Sequence, residues 1–124
     1  MKVLVYETSK DRAKLIEDLL GSYRYKIFMH HDNHASINQV LDIKPSLIIM
    51  NANHREHVEM LEKLKKHSRL SKIPVILISN LDHSEIINQL SDLPNVDCLT
   101  EPIKIKNFRH VIERWVNFRS LYLN

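Results

Sequence analysis

The 124-residue chain has one glycine, Gly21, and one cysteine, Cys98. A single cysteine excludes an internal disulfide and fits a reducing compartment. Cys98 lies in the run Val96-Asp97-Cys98-Leu99 and reads as a buried structural thiol rather than a reactive one. Aromatic residues are scarce, at 6%. With no glycine to let the backbone wrap a phosphate and no aromatic pair placed to sandwich a ring, a flavin site is excluded. Long apolar runs are missing as well. Leu47 to Met50 and Val75 to Ile78 are far too short to cross a bilayer, and the N-terminus has no cationic-then-apolar leader. The expected location is the cytoplasm, with no membrane partner. Neither sign of charge dominates, the formal balance being +3. Lys63, Lys65, Lys66, Arg69 and Lys72 make a local excess along one predicted helix and its exit, which reads as a solvated face. Without a wider basic surface or a reading motif, nucleic acid is not expected as a partner.

What is present is the balance of a soluble globular protein, 44% hydrophobic and 27% charged, in a length that suits one core. A single domain over residues 1–124 is expected. Apolar runs of strand length alternate with amphipathic stretches, the pattern of a parallel sheet with helices on both faces. The strands are predicted at Val3 to Tyr6, Tyr25 to His30, Leu47 to Asn51, Ile73 to Ser79 and Val96 to Thr100. The first helix opens near Ser9, where Ser9 or Thr8 can cap it, and buries Ala13, Leu15, Ile16, Leu19 and Leu20. Gly21 is expected to end it in a left-handed conformation. The second helix carries Ala35, Ile37, Val40, Leu41 and Ile43 and stops before Pro45. The third spans Glu56 to His67, the fourth Asp82 to Leu90, and the last runs from Lys104 past Arg119.

In a parallel α/β sheet the ligand crevice lies beyond the carboxyl ends of the strands. Glu7, Asn51, Ser79 and Glu101 each close or follow a strand and should converge there. The eight histidines, among them His30, His31 and His34, and the spaced pair His54 and His57, match no ligand spacing and read as surface or loop residues. No metal site and no cofactor is expected. A version in which His54 joins Glu7 and Glu101 competes with simple pairing of the carboxylates to Arg55 or Lys10.

Four strings, Lys2-Val3-Leu4-Val5-Tyr6-Glu7, Pro45-Ser46-Leu47-Ile48-Ile49-Met50-Asn51, Ile73-Pro74-Val75-Ile76-Leu77-Ile78-Ser79 and Leu99-Thr100-Glu101-Pro102, together with the order of elements, resemble the receiver domain of bacterial response regulators. The resemblance covers essentially the whole chain. It implies a flavodoxin-like (βα)5 fold, a doubly wound parallel sheet of order 2-1-3-4-5 in a three-layer sandwich. The first and last helices would lie on one face and the middle three on the other. It further implies a cis Glu101-Pro102 bond, and a site where a histidine kinase phosphorylates an aspartate beside magnesium.

The site positions depart from that pattern. Asn51 stands at the phosphoacceptor, and an amide has neither an attacking anionic oxygen nor a carboxylate's affinity for magnesium. Tyr6 and Glu7 stand at the acidic pair, and Glu101 at the lysine, reversing the charge and leaving repulsion where a phosphoryl group would need a cation. Ser79 matches the family hydroxyl. Cys98 occupies the aromatic switch position. The loop Ala52-Asn53-His54-Arg55-Glu56-His57 lacks the usual glycine and proline. The expectation is a degenerate receiver with no catalytic residue: a non-enzymatic module of two-component signal transduction that binds a protein partner independently of phosphorylation. The alternatives are a ligand- or metal-responsive sensor using the vacated acidic pocket and a receiver with residual phosphotransfer. Trp115 and Phe118 read either as core packing or, flanked by Arg109, Arg114 and Arg119, as an interface. By the resemblance, a partner or a second copy would use the face made by the fourth helix, fifth strand and fifth helix.

Overall fold

The strand-length apolar runs Leu47–Asn51 and Val75–Ser79 form fully buried strands because both of their faces are covered. The structure, a computed structural model, describes residues 1–32, 34–80, 88, 90 and 92–122, with side chains as far as residue 115. Its elements are β1 (Lys2–Tyr6), α1 (Lys10–Gly21), β2 (Lys26–His30), α2 (Ile37–Ile43), β3 (Leu47–Asn51) and α3 (Arg55–Lys66). A 3-10 turn (Leu70–Lys72), β4 (Val75–Ser79), β5 (Val96–Thr100) and α4 (Ile105–Tyr122) complete them. All strand pairs are parallel, in the order β2-β1-β3-β4-β5. The fold is the flavodoxin-like doubly wound sheet that the sequence pattern implies.

Alternation along the strands divides the core. Val3, Val5, Ile49, Ile76 and Ile78 pack with Ile16 and Leu20 of α1 and with Phe108, Ile112 and Trp115 of α4. Leu4, Tyr6, Ile48, Met50 and Leu77 face the other way, against Val40 of α2 and Met60, Leu61 and Leu64 of α3. The predicted fourth helix, Asp82 to Leu90, falls largely outside the described residues. Leu90 is buried on the α2 and α3 side.

The fourth strand starts at Val75, two residues later than predicted, because the 3-10 turn takes up Leu70–Lys72. Of the two cap candidates, Ser9 takes the role, its side chain accepting from the Arg12 amide. The left-handed exit assigned to Gly21 is a correction. Gly21 is the last helical residue with no positive φ, the Tyr23 amide donates to Leu20 O at 3.0 Å, and the left-handed residue is Arg24, at φ 58°. The third helix also buries a residue that the sequence reading left outside, His57. The Glu101-Pro102 bond is cis.

Candidate functional site

Beyond the carboxyl ends of β1, β3 and β5, a carboxylate, an amide and a guanidinium interlock. Glu7 follows β1 directly and is fully buried. Its Oε1 accepts from the Ser9 amide at 3.0 Å and from Arg12 Nε at 2.9 Å, and its Oε2 accepts from Asn51 Nδ2 at 2.8 Å. The remaining Asn51 oxygen, Oδ1, accepts from the Asn53 amide at 2.8 Å, and Asn53 Oδ1 in turn accepts from the Asn80 amide. An aspartate at position 51 would meet Glu7 with an oxygen where the amide offers an N–H. The asparagine therefore makes this contact attractive.

Glu101 does approach the site, but repulsion is not the outcome. Arg12 Nε lies 3.3 Å from Glu101 Oε1, and a second guanidinium nitrogen donates to Oε2 at 3.3 Å. The expectation that no cation stands here is thus corrected: α1 supplies one. Arg12 was missed because an arginine in the first turns of an amphipathic helix looks like any solvated residue. The available signal was its position three residues past the Ser9 cap, where α1 still lies over the strand ends. Neither Arg55 nor Lys10 takes the role; Arg55 pairs with Glu59 along its own helix.

Tyr6 points away from Glu7, as strand alternation requires. It is fully buried on the α2 and α3 side, and its hydroxyl donates to Gln39 Oε1 at 2.7 Å. Burial, and secondarily the Asp32 charge, push its pKa well above the ordinary tyrosine range. Its ring stacks on His30 and is tilted against His57. His57 is fully buried, with Nδ1 2.8 Å from Asn51 O. A carbonyl only accepts, so Nδ1 carries the proton in the neutral ring and donates. Burial holds the His57 pKa below its ordinary value. His54 pairs with Thr8 at 2.7 Å, joining the loops after β1 and β3.

Ser79 is buried, and its hydroxyl donates to Asn80 O at 3.1 Å. Cys98 is half-buried against the α2 and α3 side of the core, and burial pushes its thiol pKa up to about 11, as suits a structural thiol. Arg109 is exposed on α4. Trp115 belongs to the core, 9% exposed, its indole N–H donating to Asp97 Oδ2 at 2.7 Å. The Phe118 side chain is outside the described residues.

A response-regulator receiver domain from Clostridium thermocellum superposes with a TM-score of 0.83 at 13% identity, over 98% of both chains. The chain has the receiver-domain fold. NtrX from Brucella abortus matches with a TM-score of 0.79 at 20% identity, over 97% of this chain and 27% of that one. In sequence, the circadian input-output histidine kinase CikA of Synechocystis sp. is 30% identical over 102 residues, 82% of this chain. The chain spans 14% of the length of that curated relative. No family model matches.

A receiver fold raises the question of magnesium, and these residues do not fit it. A hard divalent cation needs several free oxygen ligands. Both Glu7 oxygens and the Asn51 oxygen already accept protein N–H groups, and a guanidinium stands between the two carboxylates. Among the described residues no group of three or more His, Cys, Asp or Glu is arranged to hold a metal ion. Among them, too, no helix is long and apolar enough to cross a membrane.

Proposed function

We propose that this receiver fold is a pseudo-receiver, a non-enzymatic module of two-component-type signalling that binds a protein partner without aspartyl phosphorylation. The observation that carries the reading is the 2.8 Å hydrogen bond from Asn51 Nδ2 to Glu7 Oε2. The amide nitrogen is a donor already used, its lone pair is delocalised into the carbonyl, and the side chain has no anionic oxygen to attack phosphorus. A partner surface is available beside the site. A groove along the open edge of β5 and the start of α4 is lined by Cys98, Glu101, Pro102, Lys104 and His110, mixing apolar and charged groups. The sequence similarity to a histidine kinase, and the structural similarity to a receiver domain, support a signalling context for it. A sensor that uses the pocket for a ligand or metal is less well supported, because both Glu7 oxygens and the Asn51 oxygen already accept protein N–H groups.

The reading is tested by adding acetyl phosphate, or beryllofluoride with millimolar magnesium, to the isotopically labelled protein. Mass and backbone amide shifts are expected to stay unchanged. Saturable shifts clustered around Glu7 and Ser79 would overturn the reading.

A further inference from the structure

We propose that Arg12 is the resident cation of this site, a tethered guanidinium that stands where a divalent ion would and holds the loops after β1 and β5 in one arrangement. One nitrogen, Nε, lies 2.9 Å from Glu7 Oε1 and 3.3 Å from Glu101 Oε1, and a second reaches Glu101 Oε2 at 3.3 Å. Planar donors spread over several nitrogens suit this bridging task, which a lysine could meet only as a point charge. The Glu7 side chain is wholly buried and that of Glu101 is 18% exposed, so each carboxylate needs a counter-charge close by. Asn51 is neutral and cannot supply it. Arg12 is the one cation within salt-bridge distance of either carboxylate among the described residues.

Tethering decides the competition with a free ion. The guanidinium is part of α1, whose first turn is anchored to the same carboxylate through the Ser9 amide. Its local concentration is therefore high and constant, whereas a free ion must be present in excess and must shed water to enter. The site is closed to metal by what it contains. This goes beyond the absence of a nucleophile, and the two can fail separately: phosphorylation of the natural chain refutes the proposed function, whereas the inference here stands or falls on cation binding.

With the guanidinium removed, two carboxylates converge on one point and the site should accept a hard divalent cation. The test titrates Mn2+ into the natural chain and into Arg12→Met, following paramagnetic broadening of backbone amide signals and the melting temperature. The natural chain should show no broadening centred on Glu7 and Glu101. Arg12→Met should bind Mn2+ at least roughly ten-fold more tightly, through Glu101 and the side of Glu7 Oε1 that the guanidinium leaves, and lose that gain when Glu101→Gln is added. Binding by Arg12→Met no tighter than by the natural chain overturns the inference. Should Arg12→Met fail to fold, the natural chain decides. Its Arg12 Nε–H signal is expected to resist solvent exchange and to ignore millimolar Mg2+; rapid exchange, or loss of the signal on adding Mg2+, overturns the inference.

Discussion

Asn51, Arg12 and Glu101 make sense only together. In a site of carboxylates, each change taken singly would be costly. An amide at position 51 removes a negative charge, a glutamate at 101 adds one, and the guanidinium of Arg12 meets the two that remain. Buried polar groups that are fully paired are stable, and half-paired ones are not. His57 belongs to the same economy. It holds the Asn51 carbonyl through Nδ1, while its other nitrogen is buried without a hydrogen-bond partner among the described residues. Protonation would put a charge on a buried ring, so the folded-state pKa lies below the ordinary value near 6.5. The sign follows from linkage. Above about pH 6.5 both folded and unfolded states hold a neutral ring; below it the unfolded chain takes up a proton first, and stability is lost as pH falls toward the folded pKa. His57→Gln should flatten the loss of stability between about pH 6.5 and 5, relative to the natural chain. Chemical denaturation at a series of pH values measures it; equal slopes would show that His57 is not the group responsible.

Several elements were legible because each rests on one local signal. Leu47–Asn51 and Val96–Thr100 are strands at the residues predicted. The Ser9 cap and the apolar stripe of α1 are likewise local. Gly21 was misread because a glycine at a helix end has a standard role, yet the turn here is made by Arg24. That error gives a prediction. A Cβ at Gly21 would meet nothing within 4 Å, and the residue is helical without positive φ. Gly21→Ala should therefore stabilise the protein by about 0.5 kcal/mol, by reducing the freedom of the unfolded chain. A rise in melting temperature checks it, and a fall would mean that the position needs glycine after all. At α2, by contrast, Ser36 and Gln39 form a reciprocal cap that the sequence reading passed over, although a serine three residues before a glutamine is the pattern for it. Gln39 is doubly engaged, since the same oxygen accepts from Tyr6.

Across the whole molecule, the parallel order and two-sided core bring the ends of β1, β3 and β5 together. Strand alternation decides which strand residues share a face. It could not foretell the site, because Arg12, Thr8 and Asn53 come from loops and a helix whose placement depends on tertiary packing. Asn51 and Glu101 could be named from the sequence; the bridge between Glu7 and Glu101 could not. On the proposed function, silence at this site is several residues deep, and one variant tests it. Asn51→Asp restores the nucleophile while leaving Arg12 and Glu101 in place. It should lose about 1–3 kcal/mol of stability, because a donor to buried Glu7 becomes an acceptor. The decisive measurement is its intact mass after incubation with acetyl phosphate and magnesium. No phosphoryl adduct is expected, since a guanidinium still stands between the carboxylates; a stoichiometric adduct on the new carboxylate would show that the missing nucleophile alone keeps the site silent.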